Sequence, residues 1–485
     1  MGQRFFSQEE YTHQEFQPDQ IPICPPDRPE KPLDTWVPLT PIEEMAKQEY
    51  DVIIVGTGAG ASALIWKLAQ EEGIEEKKIG MIDAGGLYIP THVNNIPTLE
   101  GRRDAYRFND NISRPIGEPD LPASKQLIGF GGKAIIWGGV AVRFQPYEFT
   151  FWPISYDDIE PYYELAEQIL YVQEPSTTVE TNLFLQQLWR DNYPAFIMPF
   201  AARLEWQEGR ALPDVFSSSL TLIGAALGKR DIDIAIHAPV QKVLMNGDQV
   251  QGVEAIDRDE RVHQIKAKKV VLAANAFQTP RILLQSSFDH LPVGRYLIKH
   301  TFFKMRAFTS EKVGDFFSEI TPCYVRQRPD APYFVQIFPE ADRQLGFYGF
   351  VKVLSRYRNR VTLDNNKLLT LYQSSELDRQ LLHQALIDTE RMIQSIGAEI
   401  GTEKEGDEPL CLTIPGSDYH ESGTCRMGMS PSDSVVDSTC AVHGVKGLWI
   451  ADNSILPTLG SNPTLTTMSL SLRTGDTIIR ELVDE

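Results

Sequence analysis

YDVIIVGTGAGASALIWKLAQ, from Tyr50 to Gln70, carries the strongest structural signal in this chain. DVIIV is a short, wholly apolar run that suits a buried strand. GTGAGAS follows, and Leu64, Ile65, Leu68 and Ala69 then fall on one face of a helix. A second strand, KIGMIDAGG, begins at Lys78 and reaches Asp83. Strand, glycine-rich turn, helix and strand make a βαβ unit, the opening of a doubly wound sheet.

Gly56, Gly58 and Ala61 supply G-x-G-x-x-A at the turn. Gly56 permits the sharp bend, Gly58 lets the backbone approach a pyrophosphate, and Ala61 lets the helix pack closely on the strand. The helix amino-terminus offers free N–H groups and a partial positive charge to the phosphates. Asp83, at the end of the second strand, can bind both ribose hydroxyls and disfavours a 2′-phosphate, which makes NADP a poor fit. The loop by itself does not separate FAD from NAD.

Further along, VQKVL and VQGVEAI flank Asn246-Gly247-Asp248, a hairpin signal. KKVVLAANA and LWIA (Leu448 to Ala451) read as wholly buried strands, the latter ending at Asp452. Residues 376–399 are predicted helical, with Leu381, Leu382, Leu386 and Ile387 at helical spacing. Residues 1–47 form a separate arm with eight prolines, yet it contains Phe5, Phe6, Tyr11, Phe16 and Trp36. Such an arm either packs over a domain, reaches a neighbouring subunit of a homo-oligomer, or stays disordered.

Composition narrows the function classes. At 485 residues two domains are the natural expectation. A net charge of −20 opposes a nucleic-acid partner. No apolar run is long enough to insert in a membrane, and MGQRFFSQEEY lacks the apolar core of a secretory signal, so a cytoplasmic protein is expected. Cys24, Cys323, Cys411, Cys425 and Cys440 are too scattered for a disulfide framework. No CxxC or HExxH spacing suggests a metal, and none is expected.

The densest chemistry lies near the carboxy-terminus, in DYHESGTCRMG (from Asp418) and GLWIADNSILPTLGSNPTLTTM (from Gly447). His420 and Asn462 each sit beside Gly- and Ser-containing turns. Pro463 fits a rigid turn before a helix starting at Thr464. A histidine can accept the hydroxyl proton when hydride leaves an alcohol carbon, and an asparagine can aim the substrate oxygen. Taken singly, such residues are commonly structural hydrogen-bonders; their place relative to a cofactor decides.

These motifs together resemble the glucose–methanol–choline (GMC) oxidoreductase family. His420-x-x-Gly423-Thr424-Cys425-Arg426-Met427-Gly428 is similar to its H-x-x-G-T-x-R-M-G element, and Ser461-Asn462-Pro463-Thr464 to its terminal N-P-T element. VVLAANAFQTPRILLQS, from Val270, resembles its flavin-covering stretch, and WPISYDDIEPYYELAE, from Trp152, the branch containing pyranose oxidases. The resemblance implies an α/β plus α+β architecture, with an FAD-binding doubly wound (Rossmann-like) domain interleaved with an antiparallel-sheet substrate domain. The FAD domain is expected over residues 48–160, 225–298 and 410–485, and the substrate domain over 161–224 and 299–409. Lys299 to Glu399 is the expected roof over the flavin.

The resemblance further implies that FAD oxidises a sugar, glycoside or other polyol, with His420 as base and Asn462 beside it. Oxygen, a quinone or another carrier then takes the electrons. Ala451 and Asp452 would follow the flavin's phosphate and ribitol chain, and Val240 the adenine. Gly132, Trp137, Ala274, Asn462, Pro463 and Thr464 complete the expected cofactor contacts. In Gly131-Gly132-Lys133-Ala134-Ile135-Ile136-Trp137-Gly138, Ile136 stands where covalently flavinylated pyranose oxidases carry histidine, which implies dissociable FAD. Lys133 replaces a usual small hydroxyl residue, and Asp83 a commoner glutamate. A lyase or light-driven enzyme on the same fold, a catalytically silent flavoprotein and an NAD enzyme are the competing readings. Tyr333, Phe334, Phe338, Phe347 and Tyr348 could stack on a sugar or simply pack the sheet.

Overall fold

A computed structural model describes residues 35–99, 112–207, 209–309, 317–341, 343–402 and 406–484. Most of the expected arm, including Phe5, Phe6, Tyr11, Phe16 and Cys24, lies outside the described residues. The chain divides at Pro38 into Met1–Pro38 and one compact unit, Leu39–Glu485. Residues 39–47, expected in the arm, belong to the compact unit. Ile42 and Met45 are buried in its core, and the Thr40 N–H donates to the Ile234 carbonyl at 2.8 Å.

The elements follow from the apolar pattern. Strand β1 (Glu49–Val55) runs into the glycine turn and helix α1 (Ala59–Gln70), then into β2 (Ile79–Ile82). Ala195–Ile197 (β3) joins a second sheet. Then come β4 (Asp233–Ala235), β5 (Val240–Asn246), β6 (Gln249–Ile256) and β7 (Val262–Leu272). Gly247, at φ +61°, makes the expected β5–β6 hairpin turn. Helix α2 (Asn275–Gln285) follows.

The second sheet adds β8 (Thr301–Phe308), β9 (Cys323–Val325), β10 (Tyr333–Ala341) and β11 (Gln344–Val351). Helix α3 (Glu376–Ser395), β12 (Glu399–Ile400) and β13 (Leu410–Leu412) complete that region. The chain closes with β14 (Leu448–Ile450) and α4 (Thr464–Val483).

The first sheet has order β5-β6-β7-β1-β2-β4, with β14 against β7. Strand β7 is where it changes character. Its amino-terminal half pairs antiparallel with β6 and alternates in burial. Its last residues run parallel to both β1 and β14 and are wholly buried. The alternating and the continuous apolar patterns thus belong to one strand, covered on one face first and on both later. The second sheet, antiparallel throughout, has order β12-β8-β11-β10-β9-β3 with β13 on β8. Most of its strands lie in the expected roof, and β3 and β13 come from outside it.

Helix α3 stops four residues short of the predicted 399 because Gly397 takes φ +73°. The Gly397 and Ala398 N–H groups then turn back onto the Gln394 and Ile393 carbonyls, which closes the helix and frees β12 to pair.

Helix α1 packs hard against the other end of the chain. A Cβ placed on Gly60 would lie 1.8 Å from the Ala451 carbonyl oxygen and 2.9 Å from the Ser471 hydroxyl on α4. At Gly58, two residues earlier, a Cβ meets nothing within 4 Å. Gly60→Ala should therefore destabilise the fold by roughly 1–3 kcal/mol through overpacking, despite alanine's better helix propensity. Gly58→Ala should stay within about 0.5 kcal/mol of the parent. Urea denaturation of FAD-free protein checks both, and equal midpoints for the two variants would refute the packing argument.

Candidate active site

A cavity of about 580 Å³ runs along the carboxyl ends of β1, β2 and β7, the usual place for a ligand in an open α/β sheet. Gly56, Gly58, Asp83, Gly132, Trp137, Val240, Ala274, Asp452, His420, Asn462, Pro463 and Thr464 all line it. Of the expected site residues, Ala61 and Ala451 do not. Both are fully buried behind the wall, where the close contact to Ala451 is made by Gly60. Gly60, which the sequence did not single out, thus makes a close contact of its own beside the buried Ala61.

The glycine loop is built as its sequence suggests. Gly56 has φ +104°, and a Cβ there would sit 2.4 Å from the Ala273 carbonyl oxygen. The first N–H groups of α1 point out of a loop whose Gly58 faces open space, which suits a phosphate approaching closely. The middle glycine element closes on this loop, with a Cβ position at Gly132 only 3.1 Å from the Gly58 Cα.

Asp83 is buried, and burial pushes its carboxyl above the usual range. Its Oδ2 accepts from the Thr57 hydroxyl at 2.5 Å and its Oδ1 from the Gly85 N–H at 2.7 Å. Thr57 in turn accepts from the Gly131 N–H at 2.8 Å, so it locks the two glycine elements together. The Thr57 N–H bonds to the same carboxylate, which keeps capacity for a further ribose hydroxyl.

At that end the Val240 carbonyl accepts from Arg281 at 2.9 Å, and at the middle the Ala274 N–H donates to Thr279 at 3.1 Å. Asp452 holds the wall, accepting from Asn275 N–H (3.0 Å), Thr279 Oγ1 (2.5 Å) and Ser454 N–H (2.8 Å). The Trp137 indole donates to the Ser217 carbonyl at 2.9 Å. Lys133 reaches along the cavity to Glu421 at 3.3 Å and lies 5.2 Å from the Tyr419 ring centroid.

The far end holds the polar centre. His420 and Asn462 are 42 residues apart in sequence, yet Asn462 Nδ2 is 3.4 Å from His420 Nε2. Two residues with no sequence signal join them. Gln336, on β10 of the roof, donates its amide to Asn462 Oδ1 at 2.7 Å. His300, just before β8, meets His420 through the two Nδ1 atoms at 3.0 Å.

Phe350 of the roof lies 5.4 Å from the His420 ring and 5.5 Å from the His300 ring. His300, His420 and Asp418 have the chemistry of metal ligands and cluster together. Two nitrogens on a tetrahedral zinc, each about 2.1 Å from it, stand roughly 3.4 Å apart. The 3.0 Å between the two Nδ1 atoms is the shorter spacing of a hydrogen bond, and Asp418 Oδ2 accepts from the His300 N–H at 3.0 Å.

Comparison with known proteins places the chain in a family. Residues 130–302 and 355–471, more than half the chain, match the amino- and carboxy-terminal parts of the GMC oxidoreductases. A 2-methyl-1,2-propanediol dehydrogenase of Mycolicibacterium austroafricanum is 25% identical, over 90% of this chain and 96% of its own. A C-glycoside 3-oxidase of Arthrobacter globiformis is 26% identical, over 89% and 95%. The crystal structure of pyridoxine 4-oxidase from Mesorbium loti superimposes with a TM-score of 0.67 at 17% identity, covering 88% of this chain and 99% of that one. With the glycine loop, the roofed cavity and the matched regions in register, the chain belongs to the GMC oxidoreductase family, as an FAD-dependent enzyme acting on the CH–OH group of its donors.

Proposed function

We propose that this enzyme oxidises a primary or secondary alcohol in a sugar, glycoside or other polyol to the carbonyl, with His420 removing the hydroxyl proton. One observation carries the reading: His420 and Asn462 meet at the end of a single cavity that begins at the dinucleotide loop. The named relatives, one for a diol and one for a glycoside, point to the same substrate class.

FAD, when bound, supplies the two-electron acceptor for the hydride from the alcohol carbon. The chain supplies the rest. Gln336 donates to Asn462 Oδ1, which fixes the carboxamide with its N–H groups toward His420 and the substrate space. Those N–H groups can hold the alcohol oxygen while His420 Nε2 takes its proton. Phe350 and the neighbouring roof side chains give the pair an apolar surround. The positive end of α4, headed by Pro463 and Thr464, favours negative charge at this end of the cavity.

Ile136 lines the cavity and has no nucleophilic atom, which supports FAD held without a covalent bond. Three buried thiols, Cys323, Cys425 and Cys440, are free, as suits a reducing cytoplasm. Reoxidation by oxygen, a quinone or another carrier completes the cycle. The residues proposed to link subunits of a homo-oligomer lie in the arm.

His420→Ala should retain FAD and show its visible spectrum, while the bound flavin is reduced by alcohol about 10²–10⁴-fold more slowly than in the parent. Stopped-flow absorbance with a panel of sugars, glycosides and diols measures this, and an undiminished rate removes His420 from the chemistry. Acid precipitation should leave the yellow colour in the supernatant; colour retained by the polypeptide refutes dissociable FAD.

A further inference from the structure

His300 sits in Leu297-Ile298-Lys299-His300-Thr301-Phe302, at the end of the matched amino-terminal family region, and nothing in the mechanism so far uses it. Its surroundings are nevertheless specific on every side. Its own N–H donates to Asp418 Oδ2 at 3.0 Å, and its carbonyl accepts from the Lys299 ammonium at 2.9 Å. Its ring is fully buried, with Nδ1 against His420 Nδ1 and Nε2 3.2 Å from the Gly460 carbonyl oxygen.

Gly460 packs closely on the Glu148 carboxylate, one of whose oxygens lies 2.1 Å from where a Cβ would stand. Burial holds the His300 imidazole neutral, pushing it well below the ordinary histidine range. The adjacent His420, Lys299 and Lys352 act in the same direction.

The protons then follow one by one. A carbonyl oxygen only accepts, so the nitrogen facing Gly460 carries hydrogen, and His300 is the Nε2–H tautomer. A neutral imidazole has one N–H, which leaves His300 Nδ1 as a lone pair. That lone pair accepts from His420, which must therefore carry its hydrogen on Nδ1. His420 Nε2 is the bare nitrogen, and it is the one beside Asn462 at 3.4 Å. The Asn462 carboxamide agrees, since Gln336 occupies its oxygen and turns its N–H₂ toward that nitrogen.

We propose that His300 is a positioning residue that sets the tautomer of His420, with the Gly460 carbonyl as the fixed point, so that His420 Nε2 is the proton acceptor. The role in turnover rests on the reading of His420 as the base. When the alcohol O–H bond breaks, its proton goes to His420 Nε2, and the electron pair of the C–H bond leaves with the hydride. The resulting His420 cation keeps its Nδ1–H on the His300 lone pair, a charge-assisted bond that strengthens as the charge appears. His300 stays neutral throughout.

The test reads the tautomer directly. FAD-loaded enzyme with ¹⁵N-labelled histidine, held above the titration range of histidine, is examined by long-range ¹H–¹⁵N correlation, with His420→Gln and His300→Asn spectra assigning the signals. The expected pattern is opposite tautomers in the pair, Nδ1–H for His420 and Nε2–H for His300. An Nε2–H His420 in the parent enzyme overturns the proposal without any turnover measurement.

Two variants then separate positioning from bulk. His300→Leu removes the acceptor and should slow flavin reduction by at least roughly tenfold, with a mixed His420 tautomer. His300→Asn keeps an acceptor oxygen near Nδ1 and should recover most of the rate and the Nδ1–H signal. A folded, FAD-loaded Leu variant with the parental rate and tautomer also overturns the proposal. If His420→Ala still reduces its flavin normally while the parent shows the expected tautomers, the base reading fails and the tautomer assignment stands.

Discussion

The constraint on which the site depends is the approach of Gly60 to the Ala451 carbonyl, too close for any side chain. It presses the start of α1 onto β14 and α4, which leave the chain some 390 residues later (about 451 minus 60). A cofactor wall needs the glycine loop and the residues after β14 on one side of one sheet. Pairing of β7 with both β1 and β14 sets their height, and the bare Gly60 Cα sets their distance. Thr57 repeats the device at the next layer, where one hydroxyl joins Asp83 to Gly131.

Features that obey local rules were legible in the sequence. A turn that needs φ > 0 needs glycine, so Gly56 declared itself. A strand covered on both faces must be apolar throughout, so β1, β14 and the end of β7 did as well. His420 and Asn462 stood out only through the motifs around them, and their meeting at 3.4 Å is a tertiary fact. His300 and Gln336 escaped because their roles come from the residues opposite them, and no spacing along the chain records that. Gly60 escaped for the same reason: its close partner, the Ala451 carbonyl, is supplied by a distant part of the chain.

Carboxylates show a related limit. Asp83 and Asp452 both end strands at the cavity, and by position alone both suit a ligand. Asp452 spends its oxygens on two backbone N–H groups and a hydroxyl, which makes it a brace for the wall around Asn275. Asp83 instead accepts from Thr57 and Gly85 and so ties the end of β2 to the glycine loop. The difference lies in which donors the fold aims at each, which a sequence does not state.

The roof resolves the question of its aromatic side chains by strand alternation. Tyr333 and Phe347 point to the α3 side, where they join a core with Ala385 and Met392. Phe334, Phe338, Tyr348 and Phe350 point to the opposite side, toward Val140 and Val142. One sheet thus has a face that packs its own helix and a face that meets the His420 end of the cavity. On that second face Gln336 is the amide among aromatic rings, and it bonds to Asn462 rather than to the sheet. An apolar surround raises the cost of a charged imidazole, which keeps His300 neutral. It also strengthens each hydrogen bond left inside it. The aromatic roof and the polar chain Gln336–Asn462–His420–His300–Gly460 are therefore parts of one device, because the first makes the second hold its protons in one order.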